Sequence, residues 1–451
     1  MGIAALLSIM ILVLMISFSL VKPTYGICIF LMVRVLVPED VRLPFANISL
    51  NTGIIFVLFI ITIFRSIAKG GLLRFNRSFT RGAMAFCVYS LISLLLSDYS
   101  NLGSQMGYLL QFLITDIVPC VLAASILKTE KDILLVIKTF LITCLITTSY
   151  GVISYFLQSN PYRLLWSAVS TSTDNTYWYG NFTTSTFVST NSFGYFIGLS
   201  FPFIAFLLSK GIYKKYSEVT LVLLAVCSVM GRKRTTIVVL LCYALLWFVS
   251  GNIKKRIKYL LFSIPVLIVM LGVIFTVPSF ESVKNVIVTS VFFWNDSVYN
   301  SVTLGNGGSN WALRLRQLAY PFVEVKDNPI FGHGFGWCSW YLARGVIHPI
   351  LFGFETLPAQ AICEFGLAAF ILYPLLFMGF YKFADAKSKN KYVLLFLITS
   401  IIQMFGTGAV YWYLELLLIL LMRLVNERIG GKNATAHINN YACVQYGNTI
   451  K

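Results

Sequence analysis

Apolar segments of about twenty residues recur along the whole chain, and a helix of that length spans a bilayer. Only 12% of the 451 residues are charged and 58% are hydrophobic, which excludes an ordinary soluble domain. The spans predicted from these segments are residues 3–21, 24–38, 50–66, 82–97, 107–127, 132–157, 187–209, 218–230, 235–250, 260–277, 357–380, 392–406 and 409–425. The sequence therefore predicts an all-α polytopic membrane protein with about twelve or thirteen transmembrane helices.

Lysine and arginine residues cluster in every second loop between these spans. Clusters of this kind mark cytoplasmic loops, and here they fall at 65–81, 128–131, 210–215, 254–258, 382–391 and 423–428. The loops between them are then expected on the outer side. They are Gln158–Thr186, the turn Gly231–Arg234 and Pro278–Phe354.

These assignments divide the chain into four parts. Residues 1–277 form a helix bundle with the outer loop 158–186, and residues 278–356 form a long outer loop expected to carry the chemistry. Residues 357–425 supply the last spans. The polar stretch 426–451 has no periodicity and is predicted to be a disordered cytoplasmic tail.

The net charge of +18 comes from the loop clusters and not from one basic face. This distribution argues against nucleic acid as a partner and favours anionic membrane lipid. The nine cysteines lie mostly inside spans and show no metal-ligand spacing. The sequence accordingly predicts no metal site, no disulfide framework and no cofactor.

The turn Gly231–Arg234 carries three cations, Arg232, Lys233 and Arg234, on the side where cations are disfavoured. One explanation is a single long, broken helix over 218–250, or a turn just below the membrane interface. The other is an anion site at the outer leaflet, with a lipid diphosphate as the ligand, because the arginine fork makes paired hydrogen bonds to phosphate oxygens. Both explanations remain open from the sequence.

The long outer loop contains an amphipathic stretch, Trp311–Val325, in which Leu313, Leu318, Ala319 and Phe322 fall near one helical face. A glycine-rich segment, Gly332–Gly336, follows it and predicts a tight turn that brings backbone close to a ligand. Four aromatic residues of the loop can either stack on sugar rings or anchor at the interface. They are Trp311, Trp337, Trp340 and Tyr341.

Glu355 directly precedes a predicted span, where a carboxylate either caps the helix or acts as a general base. His348 and His333 are rival bases. Glu364 lies inside that span, where an ionisable group usually faces a polar partner or cavity. Asp116 and Arg34 also lie inside spans, and whether they pair is left open.

Several of these residues resemble motifs of the O-antigen ligase and O-antigen polymerase superfamily. Arg314 precedes Pro329–Gly334, as in a Pro-(Leu/Ile)-x-Gly-x-Gly element, and Glu355, Gln360, Glu364 and Gly366 follow a His-Asn-x-x-x-Gln-x-x-x-Glu-x-Gly pattern. Ser228–Thr235 is similar to a Ser-Arg-Thr element, with Arg234 on its arginine. Phe187–Asn191 is similar to a Phe-x-x-(Pro)-Asn element, with Asn191 on its asparagine. The family's ligases have a histidine where this chain has Glu355, which favours a polymerase.

The resemblance implies a GT-C-like fold and inverting, metal-independent glycosyl transfer on the outer face of the bacterial cytoplasmic membrane. The donor and acceptor would be glycans on undecaprenyl diphosphate. Glu355 would be the base, with Arg314 and Arg234 stabilising the leaving diphosphate. Further substrate contacts are expected from Arg232, Arg316, Asn191, Gly332, Gly334, Gln360 and His348.

Three functions compete at this point. A polymerase would join repeat units of an O-antigen or capsule, and a chain-length regulator is a possible protein partner. A ligase would transfer the finished glycan to lipid A core or another acceptor. A flippase for lipid-linked oligosaccharide is the alternative of another class, but a transporter is expected to show repeats and charges deep in several spans.

Overall fold

The computed structural model describes residues 3–44, 48–68, 77–97, 102–166, 183–231, 233–249, 265, 268–269, 271–281, 284–285, 287–288, 311–354, 356–384, 390–406 and 411–429. Its helices are α1 (Ile3–Val21), α2 (Pro23–Leu36), α3 (Leu50–Ala68), α4 (Arg77–Leu95), α5 (Leu102–Phe112), α6 (Val118–Ile126), α7 (Glu130–Leu157), α8 (Pro161–Trp166), α9 (Thr190–Ser209), α10 (Lys214–Met230), α11 (Arg234–Val249), α12 (Trp311–Glu324), α13 (Trp337–Ala343), α14 (Leu357–Phe365), α15 (Ala369–Ala384), α16 (Lys391–Gly406) and α17 (Trp412–Arg428). A π-helical turn, Leu113–Ile117, joins α5 to α6. A 3-10 turn, Gly366–Ala368, joins α14 to α15.

The prediction of an all-α polytopic membrane protein is confirmed. Twelve of the thirteen predicted spans coincide with helices or joined helices, and most of the span 260–277 lies outside the described residues. Six helical segments are long and apolar enough to cross a membrane, which is fewer than the predicted total. Several others, such as α2 and α11, have only 14 to 16 residues, below the length of about 20 that a spanning helix needs.

Helix ends follow local signals in the sequence. Thr129 caps α7 by accepting a hydrogen bond from Asp132 N at 3.2 Å, and Ser189 caps α9 by accepting one from Ser192 N at 3.1 Å. Hydroxyl caps satisfy backbone N–H groups that the first turn leaves without partners. At the other end of the chain α17 continues to Arg428. It therefore extends into the predicted tail, whose residues 430–451 lie outside the described part.

Contacts between helix ends fix the two ends of the bundle. Lys22, between α1 and α2, forms an ion pair of 2.5 Å with Asp132 at the start of α7. Arg65, near the end of α3, donates to the carbonyl oxygen of Val21 at 3.1 Å. At the other end of α2, Thr186 donates to the carbonyl oxygen of Val35 at 2.7 Å. The predicted outer loop 158–186 therefore meets the bundle at the end away from Lys22 and Arg65.

Helices α10 and α11 form a hairpin and not one broken helix. Gly231, just after α10, packs beside Phe193 at the start of α9, so α10 runs antiparallel to α9. Along α11, Thr236 lies against Gly194 and Tyr243 packs on Phe201 with ring centroids 5.5 Å apart, so α11 runs parallel to α9. The prediction of a turn at Gly231–Arg234 is confirmed, and the explanation by one broken helix is wrong.

The centre of the bundle is formed by α9 and α17. Fourteen of the twenty residues of α9 are buried, and α17 buries twelve of its seventeen. Helices that are apolar on all sides are expected inside a bundle. A polar contact also joins helices in this centre: Gln403 of α16 donates to the carbonyl oxygen of Gly194 at 2.9 Å.

Candidate active site

The predicted outer segment around α12 packs onto the bundle through its glycine-rich turn. The amide of His333 donates to Cys363 O at 2.8 Å, and the amide of Gly334 donates to Glu364 O at 3.1 Å. In return, the amide of Leu367 donates to Pro329 O at 2.7 Å. The two elements that carry the family resemblance, 329–334 and 363–367, thus form a single backbone-paired unit.

Glycine is required at this contact for two reasons. Gly332 and Gly366 have φ of +63° and +60°, a region that residues with a Cβ rarely adopt. A Cβ on Gly332 would also lie 2.6 Å from the carbonyl oxygen of Cys363. Gly334, with φ of +87°, lies against Ser97 and Leu94 of the α4 end. The structure thus shows backbone packing at Gly332 and Gly334, and their predicted contact with substrate stays a prediction.

Side chains of the bundle hold this unit in place. Ser93 of α4, which is fully buried, donates to the carbonyl oxygens of Phe331 and Glu364 at 3.2 and 3.1 Å. Gln105 of α5 donates to the carbonyl oxygen of His333 at 3.1 Å. Polar residues inside membrane helices are costly unless they are bonded, and here they fix the position of the outer turn.

A carboxylate that sequence reasoning missed lies between the two histidines. Glu324, at the end of α12, has its oxygens 3.4 Å from His348 Nε2 and 3.9 Å from His333 Nε2. His348 Nδ1 accepts hydrogen bonds from the amides of Ile350 and Leu351 at 3.2 and 2.9 Å. Both nitrogens of His348 therefore face partners, which makes it a poor candidate for the base. Glu324 gave no sequence signal because its partners are 9 and 24 residues away.

His333 is buried among aromatic rings, with its ring centroid 4.4 Å from that of Trp337. Burial lowers the pKa of His333 below its ordinary value of 6.5, because it disfavours the charged imidazolium, while Glu324 and Asp327 act in the opposite direction. Trp337 is only 1% exposed and packs on Tyr341 and Phe354. Trp337 therefore belongs to the core of the outer segment and cannot stack on a sugar.

Three predicted residues fall wholly or partly outside the described structure. Arg232 and Glu355 are not described, and Arg314 is described only as a backbone position in α12. Their predicted roles stay predictions. Thr356, the neighbour of Glu355, caps α14 by accepting a hydrogen bond from Ala359 N at 3.3 Å. The hydroxyl of Thr356 therefore makes the side-chain cap that the sequence suggested for Glu355.

Asn191 and Arg234 occupy the first turns of two neighbouring parallel helices. Asn191 is exposed, whereas residues 192–200 of α9 are buried. Arg234 is half-buried at the start of α11. Gly194 lies against Lys233, which brings these two helix N-termini side by side. Helix N-termini carry partial positive charge and unbonded N–H groups that favour anions.

Arg316 of α12, another predicted substrate contact, is exposed.

A cleft of about 310 Å³ opens between α13 of the outer segment and the membrane helices α5, α14, α15 and α17. Gln360 lines it and donates to the carbonyl oxygen of Phe354 at 2.8 Å. Glu364 and Asp116 line it as well.

Within the described residues Asp116 and Arg34 form no direct ion pair, but both contact Tyr413. Asp116 accepts a hydrogen bond from the backbone amide of Tyr413 at 3.1 Å, and the guanidinium of Arg34 lies 4.0 Å from the centroid of the Tyr413 ring.

Comparison with known families bears on this part of the chain. Residues 219–374, about a third of the chain, match the family model described as O-antigen ligase. A search of curated proteins found no match. The matched stretch includes Arg234, Arg314, the unit formed by 329–334 and 363–367, and the start of α14, whereas Asn191 lies before it. Members of this family are membrane glycosyltransferase-like enzymes. Residues 219–374 of this chain are therefore similar to the family described as O-antigen ligase.

Proposed function

We propose that this protein polymerises undecaprenyl-diphosphate-linked oligosaccharide repeats into a surface polysaccharide. The observation that carries the proposal is the position of Arg234 where the N-termini of α9 and α11 adjoin. This position supports a site for the diphosphate of a lipid-linked donor, since two helix dipoles and a guanidinium act on the same anion. We propose that the site opens to the outer face of the cytoplasmic membrane, because it lies at the bundle end away from Lys22 and Arg65.

In the proposed reaction an acceptor hydroxyl oxygen attacks the anomeric carbon of the donor sugar from the face opposite the diphosphate. The new C–O bond forms as the bond to the diphosphate breaks, which inverts the configuration. Glu355 takes the hydroxyl proton, and Arg234 and Arg314 stabilise the negative charge on the departing undecaprenyl diphosphate. The engagement of both His348 nitrogens supports Glu355 over His348 as the base.

A ligase is the second candidate, because the matching family model is described as O-antigen ligase. Polymerase and ligase differ in the acceptor and share the donor chemistry. A polymerase uses another lipid-linked repeat, whereas a ligase uses lipid A core or a comparable acceptor. Glu355 at the family's histidine position favours the polymerase.

The test uses a bacterial strain that makes its surface polysaccharide with this protein, and the polysaccharide ladder is compared on a gel. Arg314→Ala and Glu355→Gln, at normal expression, are expected to reduce the ladder to a single repeat on lipid A core. Removal of one such group typically lowers the rate about 10²- to 10³-fold. Arg344→Ala is the matched control, since this arginine of the same loop lies 4.9 Å from the Trp340 ring centroid and has no proposed role.

Two results would contradict the proposal. If no repeat reaches the surface in the Arg314 variant, ligase or flippase becomes the better assignment. If Glu355→Gln alone leaves a normal ladder, Glu355 is not the base.

A further inference from the structure

The cleft beside the paired motif unit combines polar and aromatic groups from several elements. Its polar lining includes Gln111 of α5, Gln360 and Glu364 of α14, Asp116 of the π turn and Ser339 of α13. Its aromatic lining is Phe86, Tyr108, Phe112, Phe335, Tyr373 and Trp412. At about 310 Å³ the cleft is at the lower end of the range of ligand pockets, about 300–1,000 Å³.

The two carboxyl groups of the cleft are held by neutral donors. Asp116 accepts from the amide of Tyr413 at 3.1 Å and from the hydroxyl of Thr115 at 2.7 Å. Glu364 accepts from the amide of Cys338 at 3.3 Å. A carboxylate has about four lone-pair positions, so each group is oriented by the protein and still has capacity to accept from a ligand.

The charge of the lining decides which part of a lipid-linked glycan fits. Among the described residues that line the cleft there is no lysine or arginine. A diphosphate placed there would meet two carboxyl groups and no cationic side chain of the lining, because Arg34, which acts on Asp116 from the side of Tyr413, does not line the cleft. This arrangement is unfavourable at low dielectric. A sugar presents hydroxyl donors to carboxylates and amides, and its C–H faces pack on aromatic rings such as those of Tyr108 and Trp412.

The position of the cleft relates it to the proposed base. Gln360 lies four residues after Thr356 on α14, a rise of about 6 Å, and Glu355 directly precedes Thr356. Gln360 of the cleft and the proposed base are therefore near neighbours in the chain at the start of α14. The helix N-termini at Asn191 and Arg234 belong to α9 and α11, and no described residue of these two helices lines the cleft.

We propose that this cleft, built on Asp116, Glu364, Gln111 and Gln360, binds the uncharged sugars of the acceptor repeat. The inference rests on the proposed glycosyl transfer and adds the place where the acceptor binds. The carboxylates accept hydrogen bonds from sugar hydroxyls, and the aromatic rings exclude water from the sugar face. Specificity for the acceptor sugar is then set by the cleft and not by the diphosphate site.

The test measures binding without catalysis. Lipid-free, phosphate-free oligosaccharide fragments of the host strain's own polysaccharide are titrated by calorimetry into the full-length protein in lipid nanodiscs. Asp116→Asn and Glu364→Gln keep the shape of each side chain and are expected to weaken binding roughly 10- to 100-fold, as expected for the loss of a charge-assisted hydrogen bond. Gln111→Ala removes an exposed side chain and is expected to weaken binding about 10-fold or less without affecting folding.

Two controls separate this inference from the proposed function. Glu415→Gln makes the same chemical change at a buried membrane acid that does not line the cleft, and its affinity is expected to stay within twofold of wild type. Arg234→Ala is expected to lose polymerisation but to keep the oligosaccharide affinity. If the fragments do not bind, or if all three cleft variants bind as wild type does, the acceptor site is refuted. If binding depends on the cleft but no polymer is made under any condition, the proposed function fails and the sugar site remains.

Discussion

Two regions of the bundle each contain a membrane-embedded glutamate, and the two glutamates differ in burial and in hydrogen-bond partners. Glu415, among α9, α16 and α17, is fully buried and accepts hydrogen bonds from Ser400 at 2.7 Å and from Tyr195 at 3.3 Å. Glu364, on α14, accepts from a backbone amide and lines an open cleft. The sequence rule that an acid inside a span marks function applies to both equally. Only the surroundings distinguish an acid that joins helices from one that faces a ligand.

The largest expected effect that tests this difference between Glu415 and Glu364 is that of Glu415→Ala. This change leaves two buried hydroxyl groups without an acceptor and opens a cavity, so we expect the free energy of unfolding to fall by about 4 kcal/mol. Glu364→Ala is the matched change and is expected to cost about 1 kcal/mol, because water in the cleft can bond the Cys338 amide. Thermal unfolding of both variants in detergent measures the difference. Equal losses would show that the two glutamates have the same structural role.

A smaller loss is expected from Gly366→Ala, which disturbs the backbone-paired unit beside the cleft. Gly366 has φ of +60° and ψ of −147°, and a Cβ there would collide with the backbone of Pro329 and Ile330. We expect a loss of about 2–3 kcal/mol in stability, together with weaker oligosaccharide binding. Gly379→Ala in α15 is the control, since a Cβ there meets nothing within 4 Å and alanine favours helix. If both variants melt alike, the close backbone contact is not needed.

The smallest effect concerns His333, whose carbonyl oxygen accepts a hydrogen bond from Gln105 and so anchors the same backbone-paired unit. Since burial lowers its pKa in the folded state, the unfolded chain binds more protons as the pH falls below about 6.5. Stability should therefore decrease on acidification from about pH 7.5 to 5.5. In His333→Gln this decrease should be smaller, as measured by melting temperature at each pH. An unchanged pH dependence would mean that His333 is not held neutral by burial.

Local patterns predicted much of the fold but not the lining of the cleft. Twelve of the predicted apolar spans coincide with helices or joined helices, and the amphipathic stretch 311–325 is the helix Trp311–Glu324. Asp116 and Glu364 lie 248 positions apart in the chain, so no periodicity relates them, and Tyr108 and Trp412 likewise resemble ordinary interfacial aromatics. The periodicity of α12 also does not predict which face of this helix packs inward. Gln317 of α12 is 2% exposed, whereas Phe322 is 42% exposed.

The π turn Leu113–Ile117 has a consequence for comparing the sequence of this chain with those of its relatives. In an α-helix, residues five apart point about 140° away from each other, whereas the wider i to i+5 turn brings them closer to the same side of the helix. Gln111 and Asp116 are five apart and line the same cleft. A relative lacking one residue in this turn would keep its hydrophobicity and its aspartate, yet would turn that aspartate away from the sugar. A single-residue gap at 113–117 would therefore remove one of the two carboxyl groups from the cleft.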